Sequence, residues 1–153
     1  MADQKALDVY AKLRATIDNI GWKYEFDESN LDVFFRLNGE DVPMTFIMVV
    51  DEKLEGIRLL SRIPFEFSEE KRVEGAIATC AASFGLIDGN FDYDIATGKI
   101  AFRMTTSYKD CEISEELIRF MVDFSAHIVE RYNDLFLALN KGYITIEQFL
   151  EKA

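Results

Sequence analysis

The stretch from Leu31 to Ile63 alternates between apolar and polar residues, and this limits the folds open to the chain more than any other feature. In Leu31-Asp32-Val33-Phe34-Phe35-Arg36-Leu37 the odd positions are apolar. Val42, Met44, Phe46, Met48 and Val50 carry the pattern on even positions, and Ile57, Leu59 and Ile63 continue it with Ser61 as the gap. A period of two belongs to extended strands with one face against a core. Asn38-Gly39-Glu40-Asp41 and Asp51-Glu52-Lys53 are short polar turns between the runs. The expectation is a three-stranded antiparallel meander that needs helices on its apolar face.

The flanking segments supply those helices. Leu7, Tyr10, Leu13, Ile17 and Ile20 recur at helical spacing and form one stripe, and Gly21 follows as a C-cap. Trp22, Tyr24 and Phe26 alternate with charged residues as a short first strand. Pro64 has no N–H for a ladder and is expected to stop the last meander strand. Ser68 with Glu69 and Glu70 reads as a helix start. The stripe expected to be buried in that helix is Val73, Ala76, Ile77, Cys80, Ala81 and Phe84, with Gly85 closing it. Phe91, Tyr93 and Ile95, then Ile100, Phe102 and Met104, flank the Thr97-Gly98 turn of a second hairpin. Ser114 caps a long helix whose stripe runs Leu117, Phe120, Met121, Phe124, Ile128, Tyr132, Leu135 and Leu139. Thr145 and Gln148 have capping-box spacing for a short terminal helix. The order α-β-β-β-β-α-β-β-α-α defines an α+β chain: a single, mostly antiparallel sheet with helices packed on one face.

At 153 residues the chain suits one domain, residues 1–153, and 13 phenylalanines give it a core that argues against disorder. The longest strongly apolar run, Phe46 to Val50, is far below the roughly 20 residues of a membrane span. The opening Met1-Ala2-Asp3-Gln4-Lys5 lacks a basic-then-apolar signal pattern, which places the expected location in the cytoplasm. A net charge of -11, spread along the chain, repels phosphate backbones, so nucleic acid is not an expected partner, and with no run of spanning length neither is the membrane. Cys80 and Cys111 form no C-x-x-C pair and cannot build a metal site alone.

The string Ser83-Phe84-Gly85-Leu86-Ile87-Asp88-Gly89-Asn90-Phe91-Asp92-Tyr93-Asp94, with Gly98-Lys99-Ile100-Ala101-Phe102-Arg103, resembles the YbjN-domain family of bacterial sensory transduction regulators. Ile63-Pro64, Arg72, Tyr132, Leu135, Leu139 and Gly142 fit the same pattern. The sequence departs from the family at Ser83, where Asn is usual. The resemblance implies a fold like that of the type III secretion chaperones and a bacterial, dimeric binding or regulatory module. It supplies no catalytic residues.

No set of residues spells out a reaction. Asp88-x-Asn90-x-Asp92 begins like a calcium loop, but Tyr93 and Lys99 stand where an EF-hand needs Gly and Glu. His127 is the only histidine and has no visible partner set for base catalysis or zinc binding. Catalytic residues, cofactors and metals are therefore not expected. The sheet face out of phase with the core does draw notice. It places Phe34, Arg36, Ile47, Val49, Arg58, Leu60 and Arg103 together, aliphatic area mixed with arginine in an acidic chain. Such a mixture is typical of binding surfaces and marks the expected partner site. On the middle helix, Ala78 and Ala82 form a smooth strip four residues apart, the expected dimer interface. The expectation is a non-enzymatic protein-binding module, chaperone-like or regulatory, that works as a homodimer on a protein or peptide partner. A small-ligand binder or enzyme with a pocket invisible in sequence is one alternative. A structural subunit of a larger assembly is the other.

Overall fold

A computed structural model describes residues 2–153. Helix α1 spans Gln4–Ile20, and strands β1 (Tyr24–Asp27), β2 (Asp32–Leu37), β3 (Met44–Asp51) and β4 (Gly56–Glu66) follow. Helix α2 (Arg72–Phe84) leads to β5 (Asn90–Asp94) and β6 (Lys99–Ser107), then α3 (Glu115–Asn140) and α4 (Ile146–Lys152). The order is the one the periodicities predict. The strands form one six-stranded sheet in the order β1-β2-β3-β4-β6-β5. Every neighbouring pair is antiparallel.

The period of two sorts the strand residues as expected. Val33, Phe35, Met44, Phe46, Met48, Val50, Ile57, Leu59, Phe102 and Met104 are all buried on one face. Ser61, the gap in the alternation, is fully buried there as well. Phe35 and Phe46 sit opposite each other in the register and stack at 5.2 Å between ring centroids. Helices α1 and α3 pack on this face and on each other. Helix α3 has 26 residues and is about 39 Å long at 1.5 Å per residue, enough to cross the sheet. Asp3, Ser114 and Thr145 each accept a backbone N–H at a helix start, and Thr145 with Gln148 completes a capping box.

Four local expectations are corrected. Pro64 does not end the fourth strand. β4 runs on to Glu66, and its register with β6 shifts between Arg62 and Glu66. A residue without an N–H is tolerated where the ladder is already broken. Ser68 does not cap a helix with its side chain. A single 3-10 turn at Glu69–Lys71 intervenes, and α2 begins only at Arg72.

The third correction concerns which side of α2 is buried. Gly75, Ala78, Thr79 and Ala82 face inward, whereas Val73 is 65% and Phe84 93% exposed, and Ile77 and Cys80 are exposed too. The helix lies close to β5 and the aromatic cluster under it, so only its small side fits. A Cβ on Gly75 would stand 2.6 Å from the Tyr93 hydroxyl and 2.8 Å from the Phe67 ring. The strip Ala78–Ala82 is thus part of the core and not a surface for a second chain. The fourth correction is a rotation of the helical stripes. In α3 the buried set includes Ile118, Val122, Val129 and Phe136, while Phe120 is exposed. In α1 Ala6 and Val9 are buried and Leu7 is exposed.

Candidate functional site

Among the described residues no helix lies on the second face of the sheet. Its side chains come from the alternate positions of all six strands, and none of the large ones is fully buried. Antiparallel pairing aligns them in rows. Glu25, Phe34, Ile47, Leu60, Arg103 and Asn90 form one row across the whole sheet, each directly opposite the next. Asp32, Val49, Arg58 and Thr105 form the row beside it. The seven residues singled out in the sequence therefore do share one face. Phe34, Ile47, Val49 and Leu60 make a half-buried aliphatic and aromatic band across the three central strands. Directly opposed side chains on one face lie within van der Waals reach, so this band is continuous.

The charges around the band are not equivalent. Arg103 donates from Nε to Asp92 at 2.7 Å and from Nη2 at 3.1 Å, a bidentate pair with a residue of the neighbouring edge strand. That hydrogen bonding holds the Asp92 carboxyl below the ordinary carboxylate range. Arg58 pairs with Asp51 at 3.1 Å. Arg36 has no carboxylate partner among the described residues and lies 5.1 Å from the centre of the Phe34 ring, in cation–π range. Arg62, on the same face, also makes no ion pair among the described residues. At the far side of the band, burial lifts the Asp32 carboxyl above its ordinary value, and the nearby Asp27 charge adds to the effect. Among the described residues, Arg36 and Arg62 are thus the arginines of this face without an acid partner, whereas Arg58 and Arg103 are held by the chain's own acids.

A second surface carries no signal in the strand periodicities. The outer side of α2 presents Val73, Ile77 and Phe84, joined by Ile95 at the end of the edge strand and Leu150 on α4, all exposed. An open groove of about 720 Å³ between α2 and α4 is lined by Ile77, Cys80, Ala81, Phe84 and Leu150. A hint was present in the sequence, because α2 has apolar residues on more than one side and only one side can meet the sheet. Elsewhere, His127 is exposed on α3. Among the described residues no group of three or more His, Cys, Asp or Glu is placed to hold a metal ion. No helix among them is long and apolar enough to cross a membrane.

Neither a family model nor a curated protein matches the sequence, so the YbjN-domain resemblance rests on the residues quoted for it. Solved structures do match. One is a chain of the ExsC–ExsE complex, 12% identical, with a TM-score of 0.54, covering 86% of this chain and 95% of that one. Another is a chain of the HopA1–SchA chaperone–effector complex, 10% identical, with a TM-score of 0.50, covering 94% and 98%. The fold is that of the type III secretion chaperones. At such identities the likeness concerns the course of the backbone: one antiparallel sheet with the helices gathered on one side. The functional residues of those proteins do not transfer to this chain by identity.

Proposed function

We propose that this chain is a non-enzymatic, chaperone-like module that binds an extended, acidic and partly apolar segment of a partner protein on its open sheet face. One observation carries the reading. Among the described residues no helix covers the continuous band Phe34–Ile47–Leu60 with Val49, and the arginines that border it, Arg36 and Arg62, have no acid partner. A net charge of -11 would disfavour an acidic partner in general. Guanidinium groups beside apolar area offset that locally, and Arg binds carboxylates bidentately. The fold neighbours come from complexes with other proteins, which supports a protein rather than a small molecule as the ligand.

The test is affinity capture with the purified chain at physiological salt, beside an Ile47→Glu/Leu60→Glu variant of unchanged circular dichroism. At least one protein retained by the original chain should be retained about tenfold less by the variant, since central apolar anchors are each worth a kcal/mol or more. Equal retention, or no specific protein at all, removes the proposal.

The dimer is proposed through the outer face of α2, not its alanine strip. Val73, Ile77, Cys80 and Phe84 recur at spacings of 4, 3 and 4, a narrow stripe suited to meeting its own copy about a two-fold axis. Val73, Ile77 and Phe84 are all exposed along this stripe, and contiguous exposed apolar side chains are a mark of interaction surfaces. Light scattering at tens of micromolar is expected to give twice the 17.6 kDa chain mass. Ile77→Glu with Phe84→Glu should return it to the single-chain mass without loss of fold, both positions being exposed. A single-chain mass for the unaltered protein would refute self-association, and a dimer that survives the double change would refute this face.

A further inference from the structure

Four carboxylates meet where the connection between β2 and β3 touches α3. Glu40 and Asp41 come from the connection, residues 38–43, and Glu130 and Asp134 from successive turns of the helix. None of the four forms an ion pair among the described residues. Like charges gathered in this way oppose the contact, yet the connection is held down. The Glu40 N–H donates to Glu130 Oε1 at 2.9 Å. Asn133 Nδ2 donates to the Val42 carbonyl at 3.5 Å, and the Val42 side chain is buried.

The two helix carboxylates play different parts. Glu130 accepts a main-chain N–H, and a bond of that kind favours the ionised form. Asp134 has no such compensation. Its Oδ1 is buried and has no hydrogen-bond partner among the described residues. Burial lifts the Asp134 carboxyl above the ordinary aspartate value, and Asp41, Glu130 and Glu40 add to the lift. Among the described residues the charges that act on it are these three acids, two from the connection and one from its own helix, and none is a cation.

We propose that the β2–β3 connection is a proton-controlled clip: a proton on the cluster holds residues 38–43 against α3, and its loss releases them. Release takes Glu40 and Asp41 away and returns Asp134 to water, so its carboxyl falls back toward the ordinary value. Docked, the same carboxyl keeps its proton at higher pH. The docked state therefore takes up the proton more readily. Its advantage is complete below the ordinary aspartate value and is lost as pH rises through the raised one. Leu37 and Met44 are the last paired residues before the connection, so the clip fixes the end of the hairpin that presents Phe34, Arg36 and Ile47. The device does not depend on what binds the open face.

The test is a nuclear magnetic resonance titration of the full chain from about pH 8 to about pH 5, above the ordinary aspartate value. It follows the Asp134 carboxyl and the exchange protection of the Glu40 amide, corrected for intrinsic exchange. Protection should rise severalfold as pH falls, with the same midpoint as the Asp134 carboxyl. Each pH unit by which that midpoint exceeds an exposed aspartate's should correspond to about tenfold more protection. Asp134→Asn should protect the amide throughout, to the degree that the original chain reaches only at the acid end. Asp41→Asn, at an exposed position, should lower the Asp134 midpoint and leave amides elsewhere unshifted. Constant protection in the original chain, or a pH dependence that survives Asp134→Asn, overturns the clip. So does an Asp134 midpoint that matches an exposed aspartate or stays where it is in Asp41→Asn.

Discussion

Phe46→Ala is expected to lower the unfolding free energy by about 3–5 kcal/mol. The side chain is 1% exposed at the middle of the core face, stacked on Phe35 and covered by the helical layer. Removing it deletes the transfer free energy of a benzyl group. It also leaves a cavity that two neighbouring strands, held in register on both sides, cannot close. Urea unfolding followed by circular dichroism measures the effect, with the slope of the transition expected to stay constant. A loss below 1 kcal/mol would mean that the two faces of the sheet have been exchanged. Because the open face is defined as the complement of this core, that result would also remove the proposed docking surface.

Ala78→Glu is expected to be comparably damaging, and its contrast with Ile77→Glu separates two roles of one helix. Ala78 is fully buried, and α2 approaches the sheet there so closely that only small side chains line the contact, with Thr79 bonded to the Gly75 carbonyl. A glutamate at 78 would have to carry an unpaired carboxylate into the core or force the helix off the sheet. An uncompensated buried charge costs about 3–5 kcal/mol, and overpacking adds to that. Ile77 is one residue away but points outward, 45% exposed. A glutamate there should leave the unfolding free energy within about 0.5 kcal/mol of the parent under conditions where the chain is monomeric. Two variants of equal stability would show that α2 is rotated about its axis from this orientation.

The strands were legible in the sequence because a period of two leaves little freedom. Once Val33 and Phe35 face the core, Phe34 and Arg36 must face away, and a shift of one residue would turn every side chain over. The alternation alone therefore groups the seven face residues. Two of the helix caps were similarly local: Ser114 and the Thr145–Gln148 box each act within a few residues of themselves, whereas Ser68 did not cap.

The helices were less legible, for a physical reason visible in α2. Hydrophobicity ranks Val73, Ile77 and Phe84 as core residues, and that ranking holds when a helix packs at an ordinary distance. Here the space is already filled from below by Phe67, Phe91 and Tyr93, so the helix docks through its smallest side and its large apolar residues are left outside. That choice depends on what the sheet presents, and no window of the helix contains it. Pro64 failed in a related way. A strand without its N–H at one position has two outcomes, to end or to bulge. Which occurs is decided by whether a partner strand continues past it, as β6 does through Lys99. Pairing periodicity within each strand was thus written in the chain, and so was the aliphatic and arginine content of the open face. The side of α2 that meets the sheet, the pairing of Arg58 and Arg103 with acids from other turns and strands, and the meeting of the β2–β3 connection with the acids of α3 were decided only when distant segments were brought together.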